Sequence, residues 1–252
     1  RLKKEVLKDL PDKIEKNMAA CMEQKQKELY HAHAQRLALM LQNQTEEEFA
    51  DSRFQVLSEL TRLRQLCCDP ALVYENYEGG SAKLDLCIEL IQSAVESGHK
   101  ILLFSQFTSM IEILTARLQE ESISYFVLQG STKKEQRAQM VEQFNRDDTS
   151  VFCISLKAGG TGLNLTGADI VIHYDPWWNV AVENQATDRA HRIGQKNVVT
   201  VYKLIAKGTI EEKIIKLQQM KKELAEEILS GDEIKTASFQ REELLELLEE
   251  RF

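Results

Sequence analysis

Five short apolar runs, separated by segments with helical spacing, limit the folds open to this chain more than any other feature. Such runs are typical of strands that are buried on both faces of a sheet. They span Ile101–Phe104, Tyr125–Leu128, Val151–Ile154, Ile170–Ile172 and Val198–Tyr202. Since strands alternate with helices, the sequence predicts an α/β fold with an open parallel sheet and helices on both faces.

The region before the strands is predicted to be helical. Residues 1–78 are rich in the helix formers Glu, Gln, Lys, Leu and Ala. Thr45 and Glu48 have the spacing of a capping box, in which the hydroxyl and the carboxylate each bind a free backbone N–H. Gly79-Gly80 then marks a boundary.

Helices are also predicted within and after the strand region. Thr132 and Glu135 have the spacing of a second capping box. A last helix is expected from Thr209 to about Leu229, with Gly231 ending it. Residues 240–252 predict a short acidic, Leu-rich helix, which is either a lid on apolar surface or a loosely attached tail.

Charge and targeting signals exclude several classes of protein. With 40 acidic and 32 basic residues, the chain is no bulk-basic nucleic-acid binder, so any DNA contact must be a local patch. The five cysteines form no CxxC pair, and we expect structural thiols in a reducing compartment and no metal site. No signal peptide and no apolar run of ~18 residues is found. We expect an intracellular protein without a membrane partner and, since Arg1 is not Met, a piece of a longer chain.

Polar and glycine-rich loops follow the strands, where open α/β sheets bind ligands. Ser105-Gln106 follows the first strand, and Gln129-Gly130-Ser131-Thr132 follows the second. Both suit a phosphate, and simple helix capping is the alternative for each. The third loop, Ser155–Leu165, combines three glycines with Lys157, although the chain has no Walker A motif.

Two later segments carry tryptophans and arginines. Trp177 and Trp178 lie beside Pro176 after the fourth strand, and at least one of them is expected to face a cleft or a partner. Arg189 and Arg192 are three apart, so they would share one face of a helix and suit a triphosphate. The alternative is a pair of salt bridges to Asp188 or Glu183, neither of which requires a ligand.

Taken together, these loops resemble the second RecA-like lobe of superfamily-two helicases, and more narrowly the Swi/Snf family of double-stranded DNA translocases. The resemblance rests on KILLFSQF, FVLQGST, SLKAGGTGLNLTGAD, IHYDPWWN and ENQATDRAHRIGQ, and it extends over nearly the whole chain. RNA-helicase relatives typically end the last element in Gly-Arg rather than Gly-Gln. One departure is Val180, where the family usually has Pro.

The resemblance implies a role for each residue that matches the family. Arg192 is expected to be an arginine finger, with Arg189 as its companion and Gln185 positioning the γ-phosphate. Gly162, Asn164 and Asp188 are expected near the nucleotide. Trp178 is expected to press against the duplex near its minor groove. The residues expected to follow the DNA backbone are Ser105, Gln106, Gly130, Ser131, Thr132, Lys157, Gly160 and Thr161. The cofactor is ATP with Mg²⁺, whose protein ligands belong to a first lobe that the chain lacks.

The resemblance also implies an organisation and a function. We expect the end of an inter-lobe hinge at 1–11, a helical protrusion at 12–78, the RecA-like lobe at 79–207, and a brace helix with an acidic tail at 208–252. The full-length protein would be a DNA-dependent ATPase that remodels nucleoprotein, and the fragment alone would be inactive. Its expected partners are duplex DNA, the N-terminal lobe of the same chain, and a DNA-bound protein or polymerase. A bacterial cytoplasm is favoured over a nucleus.

Two other functions stay open on the sequence alone. The chain would be a non-catalytic docking module if its motifs survive only as a scaffold. It would be an RNA-helicase lobe if single-stranded RNA rather than duplex DNA stimulates the parent protein.

Overall fold

The computed structural model describes residues 10–158 and 162–227 together with Leu245, apart from the side chains of Glu46 and of residues 221–227. The chain divides into two compact units. The α/β unit takes the described residues up to Ala20 and those of Leu84–Ile205, and the helical unit takes Cys21–Lys83 and the described residues from Ala206 onward.

The described elements alternate along most of the chain. The strands are β1 (Lys13–Ala20), β2 (Ile101–Ser105), β3 (Tyr125–Leu128), β4 (Val151–Ser155), β5 (Ile170–His173) and β6 (Val199–Ala206). The helices are α1 (Gln24–Gln42), α2 (Glu46–Cys68), α3 (Ala82–Glu96), α4 (Thr108–Glu120), α5 (Lys134–Arg146), α6 (Val180–Thr187) and α7 (Ile210–Glu227). A short 3₁₀ turn at Pro70–Leu72 follows α2.

A six-stranded sheet in the order β1-β6-β5-β2-β4-β3 forms the α/β unit. Neighbouring strands from β2 to β6 run parallel. Every residue of β2, β4 and β5 is buried, as expected for central strands covered on both faces. Phe144 on α5 packs against Phe152 on β4 with ring centroids 5.2 Å apart. The five predicted strands and the open parallel sheet are therefore confirmed.

The assignment of residues 13–20 to a helix was wrong. They form β1, which lies beside β6 at one edge of the sheet, and the N–H of Val199 donates to the carbonyl of Asp12 at 3.1 Å. Most β1 side chains are exposed, so this segment has no apolar alternation to distinguish it from a helix. Helix propensity is a weak preference, and pairing with an existing sheet overrides it.

The helical unit is organised around a buried ion pair. Lys83 Nζ donates to both carboxylate oxygens of Glu211, at 2.6 and 2.8 Å, and both side chains are buried. The N–H of Ala206 donates to Glu211 as well, at 2.8 Å. The start of α7 is also held by Tyr30 on α1, whose hydroxyl accepts the N–H of Ile210 at 2.8 Å. These contacts join the first and last segments of the unit.

Other local predictions have mixed outcomes. The capping box of Thr45 and Glu48 at the start of α2 is confirmed. Four of the cysteines are buried, Cys21 is exposed, and all five are free thiols; burial raises the pKa of the Cys153 thiol to about 12. The predicted stop at Gly231 and the predicted helix at 240–252 lie outside the described range, except for Leu245.

Candidate functional site

The carboxyl ends of the central strands meet at one edge of the sheet. Ser105 at the end of β2 is in register with Ser155 at the end of β4, and Phe104 is in register with His173 at the end of β5. The N–H of Leu156 donates to the carbonyl of Ser105 at 2.8 Å, so the two loops start side by side. The register therefore brings together the loops that sequence reasoning selected.

A buried carboxylate, Asp175, organises the loop after β2. It accepts hydrogen bonds from the Ser105 hydroxyl at 2.5 Å and from the N–H of Gln106 at 3.1 Å. The Ser105 hydroxyl also accepts the N–H of Phe107 at 3.2 Å. Ser105 is 1% exposed, so its side chain faces the protein interior, whereas Gln106 is half-buried.

Arg137 on α5 pins the loop after β3. Its guanidinium donates to the carbonyls of Thr132 at 2.8 Å and of Gly130 at 3.0 Å, and Gly130 and Ser131 stay exposed. The predicted capping box of Thr132 and Glu135 was wrong. The Thr132 hydroxyl accepts the N–H of Gln129 at 3.0 Å. The N-cap of α5 is Lys133, one residue later, and its side chain forms no capping hydrogen bond.

Asn145 at the end of α5 anchors the far side of the glycine-rich loop. Its side-chain amide donates to the carbonyl of Asn164 at 2.8 Å, and its oxygen accepts the N–H of Gly167 at 2.9 Å. A Cβ at Gly167 would lie 2.9 Å from that same oxygen, which explains the glycine. Lys157, Gly162 and Asn164 are exposed, and Gly160 and Thr161 lie outside the described residues.

The loop at residues 174–179, here called the Trp loop, leaves both tryptophans partly exposed, as expected. Trp177 packs against the core of the sheet, and Trp178 is half-buried. The N–H of Trp177 donates to a carboxylate oxygen of Glu183 at 2.6 Å. The other carboxylate oxygen of Glu183 forms an ion pair with Lys203 at 2.8 Å.

Arg189 and Arg192 do not share a helix face, so that prediction was wrong. The helix α6 ends at Thr187, whose hydroxyl is 2.9 Å from Nε2 of the buried His173. Turns follow as far as Gly194, whose φ of 103° suits glycine. We call residues 188–195 the arginine segment.

The two arginines are nevertheless close enough to interact. Burial lowers the pKa of Arg189 below its usual value, and the positive charge of Arg192 lowers it further. Arg189 is 8% exposed, and its buried Nε has no hydrogen-bond partner. Arg192 donates to the carbonyl of Leu163 at 3.3 Å. Such a buried, unsatisfied cation beside a second cation fits an anion.

The alternative pairing of these arginines with Glu183 is not supported. Glu183 forms its ion pair with Lys203 instead. The Asp188 carboxylate is close enough to raise the pKa of Arg189, but its effect is smaller than the opposite effect of Arg192. Of the other residues expected at the nucleotide, Gln185 is exposed and Asp188 is half-buried.

Sequence reasoning missed the residues that hold these loops in place. The Gln195 side chain donates to the carbonyls of Ala168 at 2.7 Å and of Ala190 at 3.2 Å. Its oxygen accepts the N–H of Asn197 at 2.9 Å. Gln195 and Asp175 both lie in motifs quoted for the resemblance, and that position was the only signal available.

In the part of the chain that the structure describes, no group of three or more His, Cys, Asp and Glu side chains could hold a metal ion. No described helix is long and apolar enough to cross a membrane.

Two protein families match the chain. Residues 82–194 match the helicase conserved C-terminal domain, and residues 1–72 match the SNF2-related domain. An ATP-dependent helicase of Mycoplasma pneumoniae is 42% identical over 253 residues, which cover 99% of this chain and 24% of the relative. The chain thus spans about a quarter of the length of this relative and of two further bacterial relatives that it matches.

Two solved structures from Sulfolobus solfataricus resemble this chain. The SWI2/SNF2 ATPase C-terminal domain has 33% identity and a TM-score of 0.71, and the match covers 88% of this chain and 91% of that domain. The SWI2/SNF2 ATPase core in complex with double-stranded DNA has 34% identity and a TM-score of 0.74, covering 90% of this chain and 48% of that one. The open sheet described above therefore has the RecA-like fold of these domains.

Proposed function

This chain belongs to the SWI2/SNF2 family of helicase-related ATPases, and from that premise we propose that it is the second ATP-binding lobe of a motor that moves along double-stranded DNA. The lobe supplies arginines to ATP held by a first lobe, and its loops grip the DNA backbone. Alone, the chain does not hydrolyse ATP, because it has no Walker A motif.

One observation carries the proposal: Arg189 and Arg192 lie close together, and Asp188 offsets only part of their positive charge. Arg189 keeps a buried, unsatisfied Nε, and Arg192 adds to the local positive charge. Holding two guanidiniums together costs free energy unless an anion offsets the repulsion. A triphosphate supplies that anion, and guanidinium geometry matches phosphate oxygens.

Each residue near these arginines has a proposed role at the nucleotide. Arg192 is the arginine finger, Arg189 its companion, and Gln185 positions the γ-phosphate. Gly162, Asn164 and Asp188 lie beside the nucleotide. Mg²⁺ neutralises phosphate charge, and its protein ligands belong to the first lobe. Arginine fingers accelerate phosphoryl transfer by ~10³–10⁵ in well-studied cases, because they stabilise charge on the phosphoryl oxygens.

The proposed DNA contacts come from exposed parts of the same sheet edge. Lys157, Gly130 and Ser131 are exposed, and Trp178, in the loop after β5, is half-buried. Gln106, Thr132, Gly160 and Thr161 complete the proposed set of contacts. Ser105 supports the loop after β2 through its hydrogen bond to Asp175. Contacts to phosphates carry no sequence information, which suits a translocase.

The rest of the proposal concerns the full-length protein. Residues 1–11 end the hinge between lobes, the helices at 21–78 form the protrusion, and α7 is the brace. The partners are double-stranded DNA and the N-terminal lobe. A DNA-bound protein or polymerase is the complex that the motor remodels. Because the motor acts on DNA, we place the full-length protein in the cytoplasm of a bacterium, or in the nucleus if the source is a eukaryote.

ATP hydrolysis by the full-length protein, with and without duplex DNA, tests this proposal. We expect strong stimulation by duplex DNA in the wild type and a fall of about 10³-fold in Arg192→Ala, with DNA binding retained. Arg146→Ala is the matched control, since Arg146 is exposed and pairs with Glu142 on the same helix.

Three results would count against the proposal. Stimulation by single-stranded RNA alone would favour an RNA helicase. Unchanged hydrolysis in Arg192→Ala would mean that the arginine is no finger. No hydrolysis under any condition in the wild type would favour a docking module.

A further inference from the structure

Glu183 is a buried carboxylate that the proposed function does not use. It is 1% exposed and lies in the first turn of α6, where the helix dipole favours a negative charge. A charge at this depth is costly unless it is paired and hydrogen-bonded. Lys203 on β6 supplies the pairing and Trp177 supplies the hydrogen bond.

The hydrogen bond is made to backbone rather than to a side chain. Glu183 accepts the N–H of Trp177 at 2.6 Å, so it holds the Trp loop at the residue next to Trp178. The Lys203 ammonium, 2.8 Å from the other oxygen, fixes the carboxylate against β6. Glu183 therefore sets the position of the Trp loop relative to the sheet.

The other end of α6 is held as well. Its last residue, Thr187, contacts His173 on β5 at 2.9 Å, and the arginine segment starts at the next position. The helix has 8 residues, a length of about 12 Å. A rigid element this short links the Trp loop at one end to the arginines at the other.

The geometry points to Glu183 as a positioning residue that couples the two functions of the lobe. Through the backbone of Trp177 and the helix α6, it makes the placement of the arginine segment depend on the contact between Trp178 and DNA. Glu183 touches neither ATP nor DNA. This inference rests on the proposed function, because it requires both a DNA contact and an arginine finger.

A matched pair of double variants of the full-length protein tests the inference. Glu183→Gln/Lys203→Met and Glu183→Met/Lys203→Met both remove the ion pair and leave no unpaired buried charge. Gln and Met have similar lengths, but Gln alone keeps an oxygen that accepts the N–H of Trp177. We expect the Gln variant to keep DNA-stimulated hydrolysis within about twofold of the wild type, and the Met variant to lose about tenfold. Basal hydrolysis without DNA should be the same in both.

The outcomes separate the inference from the proposed function. If the wild type shows no DNA stimulation, the proposed function fails and the inference falls with it. If the wild type is stimulated but both double variants respond equally to DNA, Glu183 does not act through Trp177. A parallel loss of basal hydrolysis in both variants would indicate a purely structural role and would also overturn the inference.

Discussion

Exposure divides the residues proposed to bind DNA into two groups. Lys157 is exposed and free to reach a phosphate, whereas the Ser105 hydroxyl is buried and donates to Asp175. The Thr132 hydroxyl is likewise engaged, by the N–H of Gln129. Residue type alone therefore could not distinguish side chains that reach DNA from side chains that hold a loop in place. For Ser105 the reason is that its partner, Asp175, lies 70 positions away in the sequence.

These positions predict different effects on the salt dependence of DNA binding. Lys157→Ala should reduce the slope of log affinity against log salt concentration by about one, because one phosphate contact is lost. Ser105→Ala should leave the slope unchanged, since its hydroxyl faces inward. Fluorescence anisotropy of a labelled duplex with the full-length protein measures both. Equal slopes for wild type and Lys157→Ala would remove Lys157 from the proposed contacts.

Among the elements, those with a strong apolar pattern could be predicted and those held by distant contacts could not. The strands β2, β4 and β5 bury apolar runs along their whole length, and such runs can be identified directly from the sequence. The strand β1 escaped notice because its side chains are mostly exposed and only pairing with β6 makes it a strand.

The end of α6 escaped notice for a similar reason. The sequence continues with residues that could extend a helix, and nothing local stops it at Thr187. Contacts from His173 and from Gln195 favour turns instead. Sequence reasoning thus found which loops form the site but not the backbone conformation of the arginine segment.

The contact that holds the end of α6 predicts a pH dependence. Burial lowers the pKa of His173 to about 4, from 6.5 in an exposed ring. Below pH 6.5 the His173 ring binds a proton in the unfolded chain but stays neutral in the folded chain. The free energy of unfolding therefore falls as the pH drops from 6.5 towards about 4. The full effect is roughly 3 kcal/mol.

Urea unfolding of wild type and His173→Gln at several pH values measures this effect. The variant should lose less stability than the wild type on acidification, because Gln does not titrate. Parallel curves for His173→Gln and wild type would rule out His173 as the titrating group.

At the scale of the whole molecule, both compact units are built from two separate chain segments. In the helical unit, the buried pair of Lys83 and Glu211 joins these segments. Lys83→Met should lower the free energy of unfolding by about 3–5 kcal/mol, because the buried Glu211 carboxylate loses the cation that is hydrogen-bonded to both of its oxygens.

The double variant Lys83→Met/Glu211→Gln distinguishes pairing from packing. Removing both charges while keeping an oxygen that accepts the N–H of Ala206 should recover most of that loss, since neutral side chains of similar volume often replace a buried ion pair without cost. Chemical denaturation of the chain, followed by circular dichroism, gives both values. A double variant as unstable as Lys83→Met would show that the pair is not the source of the stability.

The same pair imposes an order on biosynthesis. Lys83 and Glu211 are 128 positions apart, and five of the six strands of the sheet, β2 to β6, are encoded between them. At translation rates of 5–20 residues per second, Glu211 is synthesised roughly 6–26 s after Lys83. During that time the helices α1 and α2 have been synthesised but lack the carboxylate that completes their core. The helices α1 and α2 are thus synthesised before most of the sheet, but the helical unit that contains them can finish folding only after Glu211 is made.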